Sequence, residues 1–393
     1  MPEAIAEVAG TVEPGFELVA AAFGEGFVER GEHGAAFAAV VDGRLVVDLW
    51  GGTADHEAAA PWREDTVQLV FSGAKGLVAV CILLLIDRGQ IELDAPVSDY
   101  WPEFAAGGKR RLLVRHVVSH TAGIPGLRTP LTLADLTDFE RMATLVAAEE
   151  PLWEPGERLA YHPLTFGWIC GGLVLGVTGR SLGAFFAEEV AAPLRLELWI
   201  GLPLDVEARI ARLRRAATYR INPAAGAEPD PLLETVYANP PFLTGERFPW
   251  NERAFHAAEI PAVNAIGTAR AIARLYGCLA RGGEIDGVRL LSEEAVRLGR
   301  SPLAEGRCVL TARPYAFGVG FELQSELAAL GPAADAFGHT GAGGSVHGAW
   351  PRLRTGFSYA MNELRAEEAD DRARCLLRAL HASLVRRKAM RSE

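Results

Sequence analysis

Ser72 and Lys75 stand three residues apart in Ser72-Gly73-Ala74-Lys75, at the head of an apolar run. In a helix three residues rise about 4.5 Å and turn about 300°, so the two side chains share a face. A serine hydroxyl is a poor nucleophile until a base takes its proton. A lysine amine can be that base only if its pKa falls towards neutrality. Burial among Leu69, Val70, Phe71, Leu77 and Val78 would do this by disfavouring the ammonium. A helix N-terminus acts in the same sense, and its unpaired N–H groups can hold an oxyanion. The bare spacing also fits a serine cap with a lysine lying along the helix surface. Composition sharpens the point. Among 39 basic residues only Lys75, Lys109 and Lys388 are lysines. Arginine does not surrender its proton in a protein, so Lys75 occupies a position where arginine would not serve. Exchange of Lys75 for arginine is expected to abolish acylation, and exchange of Lys109 or Lys388 to be silent.

Two further segments bear on this chemistry. Trp153-Glu154-Pro155-Gly156 is a turn that delivers Tyr161 into a loop before a helix. A phenol beside an amine can serve as a second proton carrier. A half-buried aromatic is the plainer reading of the same residue. The run Phe337-Gly338-His339-Thr340-Gly341-Ala342-Gly343-Gly344-Ser345 is a small, glycine-rich strand edge. A substrate can lie against such backbone, and its N–H groups could complete an oxyanion hole. A tight turn between strands is the alternative. His162, Phe242, Phe248, Trp250 and Trp350 are candidates for the pocket wall, with packing an equal reading for the aromatics.

Other patterns fall away. Gly179-Arg180-Ser181-Leu182-Gly183 fits G-x-S-x-G, but a helix rather than a strand precedes it, so Ser181 reads as a helix cap. His116 and His120 lie four apart without the glutamate of a zinc motif and read as a helix end. No metal or cofactor is called for.

These residues need a frame. An amphipathic helix is expected over 15–30. A hairpin follows over 36–41 and 44–50, turning at Asp42-Gly43. A helix over 72–88 stops at Gly89. Helices are expected over 112–119, 135–149, 164–177, 182–191 and 268–279, with an irregular stretch at 222–249. Strands follow at 315–323, 344–350 and 356–361, and a closing helix over 367–387. Strands thus lie at both ends and helices in the middle. The fold class is α+β: one antiparallel sheet from residues 1–90 and 300–393, flanked by terminal helices, with a mainly helical domain inserted at 91–299. The site belongs in the cleft between them.

Composition excludes other roles. The net charge of −11 argues against a nucleic-acid or anionic-membrane partner. The basic run Arg386-Arg387-Lys388 reads as a short solvated tail. The longest apolar run, 77–86, is too short to span a bilayer, and the first residues have no signal-peptide pattern. Five scattered cysteines without C-x-x-C spacing read as free thiols, so the cytoplasm is the expected compartment.

Taken in order, the S-x-x-K, the tyrosine loop and His339-Thr340-Gly341 resemble the β-lactamase and penicillin-binding-protein serine hydrolases. The chain is most similar to the class C β-lactamase-like group, with its carboxylesterases and acyltransferases. Further matching stretches are residues 36–52, 118–125, 177–183, 257–261, 318–321 and 361–362. The resemblance implies a β-lactamase/transpeptidase-like fold. It implies Ser72 as acylated nucleophile, Lys75 as its base and Tyr161 as partner in proton transfer. His339, Thr340 and Gly341 would line the site, and the N–H groups of Ser72 and Ala342 would form the oxyanion hole. Three departures stand out. His339 replaces a lysine, so a carboxylate-recognising cation is absent or pH-dependent. Pro163 stands two after Tyr161, where Asn or Ser is common. Residues 347–351 lack the Asp that often precedes the Pro. The expected activity is a serine carboxylesterase on small to medium acyl esters, working through an acyl-enzyme. Acyl transfer to an amine or alcohol is the alternative. A β-lactamase or peptidoglycan peptidase fits less well.

Overall fold

Asp42 and Gly43 take φ angles of +50° and +83°. That left-handed pair matches the right-handed twist of the strands it joins, Gly34–Val41 and Arg44–Asp55. The structure, a computed structural model, describes residues 8–217, 219–220, 231–367 and 370–390. The hairpin sits inside an antiparallel sheet whose strands run in the order 8–12, 44–55, 34–41, 355–361, 346–350, 337–340, 322–323, 314–317 and 304–307. Strand Ala60–Pro61 pairs with Arg44–Asp55 off this path. Residues from the two ends of the chain meet where Thr355–Met361 pairs with Gly34–Val41.

Strand Gly34–Val41 is buried on both faces, so its run Ala-Ala-Phe-Ala-Ala-Val-Val does not alternate with polar residues. Its parity still sorts it. Ala35, Phe37 and Ala39 face a core with Leu376, Leu377 and Leu380 of the C-terminal helix Arg372–Met390 and Val19 and Phe23 of helix Glu17–Glu29. Ala36, Ala38 and Val40 face the larger core on the other side. Helix Ala269–Ala280 covers that side, where Gly277 lies against Val40 and Gly356 against Tyr276. This helix comes from the stretch 91–299 that was expected as the inserted helical unit, yet it lies on the sheet.

Helix Ala74–Asp87 begins two residues after Ser72, and every residue from Ala74 to Leu85 is buried. A helix apolar all round is a core helix, which explains the run that sequence alone could read as a short hydrophobic segment. Among the described residues no single helix is long and apolar enough to cross a membrane. A small sheet of Gln68–Leu69, Ala265–Gly267 and Leu198–Ile200 anchors the chain just before Ser72.

Some elements differ from expectation. Strand Val8–Val12 was not foreseen, being short and interrupted by Gly10, where a Cβ would stand 2.0 Å from the Asp48 carbonyl. Residues 1–7 lie outside the described residues. Of the stretch 222–249, residues up to 230 also lie outside them, and Pro231–Tyr237 is helical. Arg387 is not merely solvated, because its guanidinium lies 4.8 Å over the ring of Phe16. Lys109 is only 1% exposed. Its amine donates 2.8 Å hydrogen bonds to the carbonyls of Ala106 and Ala147 and another to Glu149. It therefore fills a built cation site, which counts against the expectation that arginine would replace it silently.

Candidate active site

The turn at Ser72 is fixed from below. Phe71 takes φ +46°, a conformation that costs a residue with a Cβ about 1–3 kcal/mol unless packing enforces it. Its ring is buried and meets Trp250 edge-on at 5.4 Å. The Val70 amide is held by the Ala265 carbonyl at 3.0 Å. Gly73 allows a close approach, since a Cβ there would stand 2.5 Å from Cδ2 of His347.

Lys75 is fully buried. Its Nζ lies 3.2 Å from Oγ of Ser72, 2.9 Å from the Pro163 carbonyl and 3.0 Å from the Ala262 carbonyl. Burial holds its pKa well below the usual lysine value. A neutral amine has two N–H bonds and one lone pair. The two carbonyls can take the N–H bonds, which leaves the lone pair aimed at the serine hydroxyl. The backbone oxygen of Pro163 thus helps orient the amine.

Tyr161 lines the same cavity as Ser72, and its ring centroid is 4.8 Å from Nζ of Lys75. Stacking on Tyr315 at 5.8 Å and contact with His120 at 4.8 Å hold the ring in place. Burial pushes the phenol well above its ordinary range, so it keeps its proton near neutrality.

Strand Phe337–Thr340 brings the third segment. Gly341 packs so closely on Val70 that a Cβ would stand 2.4 Å from the Val70 carbonyl. This sets the strand edge beside Ser72. Ser72, Tyr161, His339, Thr340, Gly341 and Ala342 all line one cavity. His339 is 2% exposed, and its Nδ1–H donates to the Thr340 carbonyl at 2.7 Å. Burial first, and then the field of Lys75, brings its pKa down to about 3. It is thus a neutral imidazole at pH 7, not a substitute for a lysine cation.

The pocket-wall candidates divide. Phe242 lines the cavity. Trp250 stands behind it, fully buried, its indole N–H donating to the Phe242 carbonyl at 2.7 Å. His162 is a correction, because its imidazole is used up by the Ala160 carbonyl and the Ile124 amide. Trp350 is a second correction. It packs on Phe357 and His381 beneath the terminal helices, on the face of the sheet away from Ser72. Ser181 accepts from the Ala184 amide and caps its helix.

Sequence reasoning missed Glu322 and His347. Glu322 is a buried carboxylate on the cavity wall beside Thr340. Its signal was an acidic residue inside an otherwise apolar strand run. His347 lies under Gly73 with Nδ1 on the Ser358 hydroxyl at 2.8 Å.

The model of the family described as Beta-lactamase matches residues 17–381. The esterase/beta-lactamase LipL of Mycobacterium tuberculosis is 39% identical over 372 residues, covering 92% of this chain and 83% of that protein. The crystal structure of a family VIII carboxylesterase superposes with a TM-score of 0.88 at 36% identity, covering 96% of this chain and all of the other. A penicillin-binding protein homologue from Caulobacter crescentus gives a TM-score of 0.87 at 34% identity, covering 96% of this chain and all of the other.

Proposed function

The chain belongs to the β-lactamase family of serine hydrolases, and on that premise we propose that it is a carboxylesterase that works through an acyl-enzyme on Ser72. The observation that carries this reading is the fully buried amine of Lys75, 3.2 Å from the Ser72 hydroxyl and hydrogen bonded to two carbonyls. No carboxylate is needed to hold it there.

In this reading the neutral amine takes the hydroxyl proton as Oγ bonds to the ester carbonyl carbon. The N–H groups of Ser72 and Ala342 hold the oxyanion. Collapse breaks the bond to the leaving alkoxide, which receives a proton from the Lys75 ammonium, directly or by way of the Tyr161 phenol. Water then attacks the acyl-enzyme with Lys75 again as base, the Oγ–acyl bond breaks to release the acid, and the Lys75 ammonium returns the proton to Oγ of Ser72. His339, Thr340 and Gly341 provide the backbone edge along which the ester lies.

The cavity wall of Phe71, Tyr161, Tyr219, Tyr237, Phe242 and Tyr315 suits small to medium apolar acyl groups. A neutral His339 supports an esterase over a lactamase that grips a carboxylate. Five free cysteines support a reducing compartment such as the cytoplasm. A series of p-nitrophenyl esters from acetate to decanoate tests the proposal. Turnover that peaks at short to medium chains and vanishes in Ser72→Ala is the expected result. Added amines or alcohols then show whether water is the acceptor, since product ester or amide would reveal acyl transfer. No turnover of any ester by the wild type would refute the reading.

A further inference from the structure

Glu322 is 2% exposed, yet it sits on the cavity wall that also holds Ser72. Its Oε2 accepts from the Thr340 amide at 3.1 Å and from the Thr340 hydroxyl at 2.9 Å. The Thr340 hydroxyl has one proton, and Glu322 takes it. Towards the cavity that hydroxyl therefore presents lone pairs only. His339, the next possible donor on the strand, spends its Nδ1–H on the Thr340 carbonyl. The side chains of Thr340, His339 and Glu322 beside Ser72 thus offer a substrate acceptors and one carboxylate, and no cation.

Among the described residues, the other charged groups on the wall are Arg220, Arg313, Arg365 and Glu367. Arg313 is paired with Glu367, and its guanidinium lies 5.7 Å over the Tyr315 ring. Arg365 donates to the Arg30 carbonyl at 2.6 Å and to Glu363 at 2.8 Å. Burial raises the Glu322 pKa, while the two Thr340 hydrogen bonds and the nearby Arg313 act the other way and favour the carboxylate; the Arg313 and Arg365 guanidinium groups are themselves each paired with a carboxylate, Glu367 and Glu363.

Resting on the esterase reading, we infer that Glu322 sets the charge class of the acyl donor, admitting neutral esters and turning away those whose acyl chain ends in a carboxylate. A like charge in a buried wall repels an anionic acyl group, and the committed Thr340 proton cannot offset it. Glu322 acts here as a specificity-determining residue and takes no part in bond making.

Glu322→Gln tests this, because the amide oxygen can still accept both Thr340 hydrogen bonds while the charge is gone. The two probes are p-nitrophenyl butyrate and the mono-p-nitrophenyl ester of glutarate, which differ mainly by a carboxylate. The wild type should prefer the neutral ester in kcat/KM. The variant should raise kcat/KM for the anionic ester about tenfold and leave the neutral ester within about twofold. Should the amide lower the thermal midpoint, the two esters are compared well below that midpoint, on the folded fraction. An unchanged ratio in the folded variant, or a wild type that prefers the anionic ester, overturns the inference while the esterase reading stands. Failure of the wild type to cleave either ester overturns that reading, and the inference with it.

Discussion

The carbonyl oxygen of Pro163 accepts a 2.9 Å hydrogen bond from Nζ of Lys75, across 88 residues of chain. With the Ala262 carbonyl it fixes the amine so that one valence points at Ser72. The arrangement suits a compact amine that gives and takes one proton. A guanidinium is planar, larger and permanently charged. Lys75→Arg should therefore lower kcat/KM for a p-nitrophenyl ester by roughly 100- to 10,000-fold, the range for loss of a general base. Steady-state kinetics on the folded variant check this, and retention of a tenth of the activity would speak against a proton-transfer role.

Lys109 gives the contrasting case. It donates to three carbonyls and lies 5.0 Å over the Phe104 ring, far along the chain from the Ser72 turn. Removing the amine strands buried acceptors, at about 1–3 kcal/mol for each one left unpaired. Lys109→Met should lower the thermal midpoint by several degrees, and Lys109→Arg should also lower it because Gly107 and the carbonyls enclose the amine. Both should keep kcat in the folded fraction. Calorimetry and kinetics on the same preparations separate the two effects.

Gly73 and His347 form a steric pair. A Cβ at position 73 would meet Cδ2 and Nε2 of the imidazole at 2.5 and 2.9 Å. Gly73→Ala should destabilise by about 1–3 kcal/mol, as overpacking does. His347→Ala in the same chain should recover part of that loss. A double-mutant cycle read by denaturant unfolding measures the coupling, and strictly additive losses would deny the contact.

The histidines at 339 and 347 are buried, and burial brings each pKa down to about 3 from 6.5. Between these values the unfolded chain binds more protons than the folded one. Their contribution to stability is therefore full above pH 6.5 and is lost as pH falls towards 3. The thermal midpoint should drop from pH 7 to pH 4.5, and His347→Gln should make that drop shallower. Equal slopes in both proteins would place the acid sensitivity elsewhere.

Much of this was written in local patterns. The Asp42-Gly43 turn, the Ser72–Lys75 spacing and the glycine-rich edge at 341–344 each express a backbone or side-chain constraint within a few residues. What escaped depended on distant partners. The carbonyls around Lys109 come from residue 106 and from residues 147 and 149, so its neighbours Arg110 and Arg111 made the segment look like surface. Trp350 could have been placed by parity. In strand Val346–Trp350, Val346 and Trp350 share the face under the terminal helices, and His347 and Ala349 take the other. Glu322 was hidden because its meaning lies in a side chain on the neighbouring strand, Thr340, and not in its own sequence context.

The central claim is that Ser72 carries the acyl group. An alkyl fluorophosphonate, added to the folded enzyme and followed by tryptic digestion and mass spectrometry, reads it directly. Trypsin releases residues 64–75 as one peptide, in which Ser72 is the only serine. One adduct on that peptide, absent in Ser72→Ala and slowed in Lys75→Arg, is the predicted result. Equal labelling of Ser72→Ala, or an adduct on another peptide, would contradict it.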